Sequence, residues 1–107
     1  MTQATATEID PVVIRVWKGN DDDVFALFPT LPADTFGNYC TCYQHVGQHS
    51  SADYNHCIHN SRPATEAEAA DLLAELKIIG YNPRVCRRAT PAMHSARRDC
   101  VQELATA

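Results

Sequence analysis

Seven side chains between positions 40 and 59 can bind a metal or attack an electrophile: Cys40, Cys42, His45, His49, His56, Cys57 and His59. Zinc takes about four nitrogen or sulfur ligands in a tetrahedron, supplied mostly as two short-spaced pairs. The spacing here is poor for that. Cys40 and Cys42 are one residue apart, closer than the gap by which a tight turn presents two thiolates. On a strand they share one face while His45 points to the other. Gly47 separates His45 from His49, so the two do not form a helical pair. A site built from His45, His49 and His59 with an aspartate requires the chain to fold back on itself. The expectation is therefore no metal and no cofactor, with those three histidines as the candidates if an ion is held.

Catalysis is the second chemistry on offer. A thiolate nucleophile needs an adjacent base and partial exposure. Strand alternation parts Cys42 from His45. Cys57 and His59 share a face on the strand expected there, but no motif surrounds them. His45, His49 and Asp53 form the best acid–base set, with Asp53 holding one imidazole tautomer at a loop tip. That is the reading as a small histidine-dependent or metal-dependent hydrolase. Gln48, Ser50, Ser51 and Asn55 argue for a plainer one, because polar residues of this kind hydrogen-bond their own loop. The chain leans away from an enzyme.

Charge separates along the chain. Positions 1–83 hold four basic and eleven acidic side chains, net −7, and positions 84–107 hold five basic and two acidic, net +3. The five cations are Arg84, Arg87, Arg88, Arg97 and Arg98. Arginine offers a planar fork that matches carboxylate or phosphate. The overall charge of −4 opposes tight nonspecific binding to duplex nucleic acid, which needs many cationic contacts. A local nucleic-acid contact or an acidic protein patch fits better.

The elements that position these groups are readable in part. A chain of 107 residues with 45 % apolar side chains is one domain with a modest core. Five cysteines, an odd number, point to reduced, buried thiols and a cytoplasmic setting. The longest apolar run, Val24 to Phe28, is far too short for a membrane span. Residues 1–10 have neither the basic nor the apolar part of a secretion signal and are expected to be a flexible tail.

"PVVIRVWK" alternates Val12, Ile14 and Val16 against Val13, Arg15 and Trp17, a strand pattern. Gly19 to Asp23 forms a turn, and "VFALFP" follows as a central strand covered on both faces, closing an antiparallel hairpin. "YCTCYQHV" is a third strand, "QHSSADYN" a connection, and "HCIHNSR" a weaker fourth strand. Thr65 and Glu68 make a capping box for a helix over 66–79, with Ala69, Leu72, Leu73, Leu76 and Ile79 as its apolar stripe and Gly80 as its stop. A strand begins after Pro83 or lies at an edge. Thr90 and Pro91 open a short terminal helix. Strands gathered before helices predict an α+β fold. It has a mostly antiparallel sheet of four to five strands, one main helix on a face in the order β-β-β-β-α-β, and a C-terminal helix. The domain spans 11–90, with 91–107 as a helical extension.

The string "YQHVGQHSSADY", Tyr43 to Tyr54, resembles a core found in small uncharacterised bacterial proteins often carried by phages, plasmids and integrated elements. "VFALFP", "RPAT", "LLAEL" and "GYNPRVCRR" fit as well, so the resemblance covers residues 12–88. It directs attention to His45, Gly47, Gln48, His49, Asp53 and Tyr54 and implies a mobile-element accessory protein. No activity comes with it. Together with the arginines, it makes the leading expectation a binding protein whose partner is a host or competing-element protein, such as a defence component. Tyr43, Gln48, Tyr54, Arg84, Arg87, Arg88, Arg97 and Arg98 are its candidate contacts.

Overall fold

The two apolar runs near the start of the chain pair as antiparallel strands β1 (Asp10–Trp17) and β2 (Val24–Pro32), with Val13 opposite Leu27 and Arg15 opposite Phe25. The computed structural model describes residues 9–19, 23–44 and 49–106 and, within that last stretch, side chains as far as 102. β2 has strands on both sides and helices over both faces, as its unbroken apolar run predicts. Phe25, Ala26, Leu27 and Phe28 are fully buried, and each large apolar side chain among them stabilises the fold by roughly 1.5–3 kcal/mol.

β3 (Cys40–Tyr43) pairs antiparallel with β2, and β4 (His49–Ala52) pairs antiparallel with β3. The expected second hairpin is present, but its outer strand lies seven residues earlier than expected. The segment expected as a strand, His56 to Arg62, is mostly not one. Tyr54–His59 is a short helix, α1, and only Ser61–Pro63 is extended, as β5. Asp53 caps α1 by accepting a hydrogen bond from the His56 N–H at 3.3 Å. Tyr54, Cys57 and Ile58 supply its inward side at helical spacing. β4 was hidden because it is an edge strand with only Ala52 buried, so its sequence lacks apolar alternation.

The main helix, α2 (Glu66–Ile79), has the expected bounds. Its capping box is formed in both directions, Glu68 N–H to Thr65 Oγ1 at 3.1 Å and Thr65 N–H to Glu68 Oε1 at 2.9 Å. Gly80 ends it at φ +116°, a left-handed conformation suited to glycine. β6 (Pro83–Val85) follows, then α3 (Pro91–Thr106), whose first turn Thr90 caps through the Met93 N–H.

The sheet order is β4-β3-β2-β1, and both β5 and β6 line the outer edge of β1. β5 runs antiparallel along Arg15–Trp17, and β6 runs parallel along Asp10–Val12. The α+β class and the mostly antiparallel sheet are as the sequence predicts, with six strands. Val12, Ile14, Ala26, Phe28 and Tyr43 pack under α2 with Ala69, Leu72 and Leu76. Val13, Phe25, Leu27, Cys40, Cys42 and Ala52 fill the opposite face with Tyr54 and Cys57 of α1. α3 packs on β2.

Candidate functional site

The histidines and cysteines of the 40–59 stretch are dispersed. His45 and Gln48 lie outside the described residues. His49 stands on β4 opposite Tyr43, so both face α2. Its ring packs edge-on to Tyr43, centroids 4.8 Å apart, and its Nε2 shares a hydrogen bond of 2.9 Å with the Tyr81 hydroxyl. Asp53 is occupied at the head of α1 and borders α3, on the opposite side of the sheet. The structure therefore does not bring His49 and Asp53 together. His59 is exposed, and its carbonyl accepts from Lys18 Nζ at 3.0 Å. Cys57 and His59, expected on one strand face, are two residues apart on a helix and point different ways: Cys57 inward, His59 to solvent.

Cys40 and Cys42 do share a face, and Cys57 joins them there. Burial pushes the Cys40 thiol up to about 11 and the Cys42 thiol up to about 12. Burial also raises Cys57, with Asp53 adding to it. Thiols held protonated in a core are poor nucleophiles and poor ligands. Among the described residues, no group of three or more His, Cys, Asp or Glu is placed to hold a metal ion.

Three of the expected contact residues are withdrawn from the surface, and this corrects the sequence reading. Tyr43 is buried in the core, and its hydroxyl donates to Glu75. Tyr54 is buried, and its oxygen accepts from the Ala89 N–H at 2.6 Å. Arg97 is only 4 % exposed and donates to the carbonyls of Gly37 and Pro29. A chain segment can look like a charged surface while one of its arginines is spent on carbonyls that no strand or helix satisfies.

Arg84, Arg87, Arg88 and Arg98 are exposed. One of these, Arg87, lines a groove that the sequence reading missed. β5 leaves the edge of β1 where Ala64 N–H donates to Ile14 O, and β6 joins it where Cys86 N–H donates to Val12 O. The gap between them is not filled by a strand. It is a groove of about 710 Å³ with Ile14 at its base. One wall is α2, presenting Ala70, Leu73, Ala74 and Lys77, and the other is Val85, Cys86 and Arg87. The alanines leave the groove open. Ala70 and Ala74, four apart beside the main apolar stripe, were the signal for it in the sequence. Val85 is 54 % exposed on its lip.

Set against known protein families, curated proteins and solved structures, the chain has no match in any of the three.

Lys77 on the helix wall and Arg87 on the other are the cations of its lining, which also holds Glu66; exposed Arg84 and Arg88 lie close to Arg87 in the chain. Among the described residues, the ion pair with side chains in contact is Arg62–Glu68, at 2.6 Å. Arg87 also acts inward. Burial lowers the proton affinity of Arg15; Tyr54 opposes that shift, and the positive charge of Arg87 adds to it. The groove thus combines an apolar floor with two lining cations, Lys77 and Arg87, that form no ion pair with a described residue, and one lining carboxylate, Glu66. That combination suits a segment carrying apolar side chains next to carboxylates. No described helix is long and apolar enough to cross a membrane.

Proposed function

We propose that this chain is a small accessory protein of a phage or other mobile element that acts by binding a macromolecule. The partner is a protein of the host or of a competing element, such as a defence component. It docks an acidic, apolar segment in the groove between α2 and β6. The observation that carries this reading is the groove's lining: Lys77 and Arg87 flank exposed apolar surface at Ala70, Ala74 and Val85, with exposed Arg84 and Arg88 close by in the chain. Arginines that form no ion pair among the described residues, beside an apolar cleft, steer and fix an acidic partner. The likeness of the Tyr43–Tyr54 string to mobile-element proteins supports the setting. The apolar floor favours a protein over a nucleic acid, whose backbone asks for cations without an oily base.

The test places a photo-crosslinking residue at position 74 in the groove and, as a control, at position 50 on the far strand. Illumination in host cells should give a discrete protein adduct from position 74 alone, and Arg87→Glu with Arg88→Glu should abolish it. An adduct to nucleic acid, or one that survives both charge reversals, would overturn the reading.

A further inference from the structure

A second cleft, of about 480 Å³, lies on the other side of the sheet between α1 and α3. Arg97, His94 and Arg98 line it from α3, and Asp53 and Asn55 from the head of α1. Spacings of three and four put those α3 side chains on one helix side.

Arg97 is the informative group. Its Nε donates to Gly37 O at 2.8 Å, and its Nη1 donates to Pro29 O at 2.7 Å and meets His94 Nδ1 at 2.8 Å. Its Nη2 has no hydrogen-bond partner among the described residues. No described carboxylate pairs with it either. Carbonyls satisfy the direction of its N–H groups without carrying a full negative charge, and a buried charge with no counter-charge is costly away from water. Arg98 lines the same cleft, also without an ion-pair partner among the described residues. Two guanidiniums therefore border one cavity whose lining holds a single carboxylate, Asp53, which caps α1 and forms no ion pair with either among the described residues.

His94 adds a donor. A guanidinium only donates, so His94 Nδ1 accepts from Arg97, and the neutral ring carries its proton on Nε2. Burial lowers its proton affinity, and the charges of Arg97 and Arg98 lower it further, which keeps the ring neutral. Ser95 and Asn38 supply further hydrogen-bonding groups. Asp53 stands on the opposite wall. It repels an anion there and accepts from hydroxyl groups.

We propose that the cleft between α1 and α3 binds a small phosphate monoester with a hydroxyl-bearing body, of the sugar-phosphate class. The phosphate sits on the Arg97–Arg98–His94 wall and the hydroxyls meet Asp53 and Asn55. Such an ester carries about −1.5 to −2 charge near neutral pH, which matches two guanidiniums. The site is independent of the groove on the other side of the sheet.

The test follows amide shifts by NMR while the full chain is titrated with ribose 5-phosphate, inorganic phosphate or ribose. The ester should bind at millimolar concentration or tighter, inorganic phosphate more weakly and ribose not at all, with shifts centred on residues 94–98. Arg98→Gln, at an exposed position, should weaken ester binding by about tenfold or more. Asp53→Asn keeps a capping side chain and removes a charge, so it should tighten inorganic phosphate. Melting curves of both variants establish that they fold. Ribose or inorganic phosphate binding as tightly as the ester would overturn the proposal. So would unchanged affinity in Arg98→Gln, or no shift at residues 94–98 at millimolar ester.

Discussion

The guanidinium of Arg97 reaches across from α3 to hold Gly37, donating to its carbonyl at 2.8 Å, while the backbone of Arg98 closes over the same glycine. Gly37 has φ +75°, and a Cβ there would stand 3.1 Å from Arg98 Cα. Helix α3 is thereby seated on a loop in which position 37 leaves little room for a side chain.

Gly37→Ala should therefore cost more than conformational strain alone. Gly19 gives the comparison, at φ +85° with nothing within 4 Å of an added Cβ. Alanine at 19 should cost about 1 kcal/mol, the usual penalty for forcing a left-handed residue. Alanine at 37 should cost about 2 kcal/mol or more, because Arg98 backbone must also move. Urea unfolding of the two variants checks this, and equal losses would mean the contact with α3 yields freely.

Arg15 predicts a larger loss. It is 8 % exposed, and its Nε donates to Ser61 Oγ at 2.9 Å while its Nη2 donates to Ile58 O at 3.1 Å and Ser61 O at 2.7 Å. One side chain of β1 thus ties down the end of α1 and the start of β5. Arg15→Leu takes this donor from the buried Ser61 Oγ and Ser61 O and from Ile58 O, for a loss of about 3 kcal/mol. Ser61→Ala should lose about 1–2 kcal/mol. The two residues touch, so a double-mutant cycle should show non-additivity. Strict additivity of the denaturation midpoints would contradict the contact.

How much of this was legible in the sequence depends on which signals were local. α2 was fully readable because Thr65, Glu68 and Gly80 satisfy its ends from within the chain. β1 and β2 were readable because alternation and continuous apolarity each record burial. β4 was not, because an edge strand exposing His49, Ser50 and Ser51 carries no burial record. α1 was misread with it: six residues rich in histidine carry only Tyr54, Cys57 and Ile58 as helical spacing. The groove arises from where β5 and β6 meet β1, a long-range fact. Arg97 likewise read as surface charge, and nothing local marked Arg15 as buried, since the carbonyls that bind them come from distant segments.

Glu68 sets an acid limit. Hydrogen bonding to Arg62, then to the Thr65 backbone, holds its carboxyl down to about 2, from an ordinary value of 4.5. A carboxyl lowered in the folded state stabilises the fold above its unfolded value. That contribution fades as pH falls from about 4.5 towards 2. Glu68→Gln should therefore melt below the native protein at neutral pH, and the gap should close on acidification through that window. A gap that stays constant with pH would show that the Arg62 contact contributes nothing to folding.

The thiols set an alkaline one. Cys40 and Cys42 ionise near 9.0 when unfolded but are raised to about 11 and about 12 in the core, chiefly by burial. A thiol raised in this way contributes stability that is complete below its unfolded value. The contribution is lost as pH climbs through the folded values. Melting temperature should fall progressively above pH 9.0, and less so in Cys42→Ala once its lower starting stability is allowed for. The same geometry orders chemical reactivity. Cys86 and Cys100 are half-buried, whereas Cys40, Cys42 and Cys57 are buried. A small alkylating reagent at neutral pH should label Cys86 and Cys100 first and reach the other three only after unfolding, as peptide mass mapping would record. Early labelling of Cys42 in folded protein would mean that the face of the sheet beneath α1 opens far more readily than its packing implies.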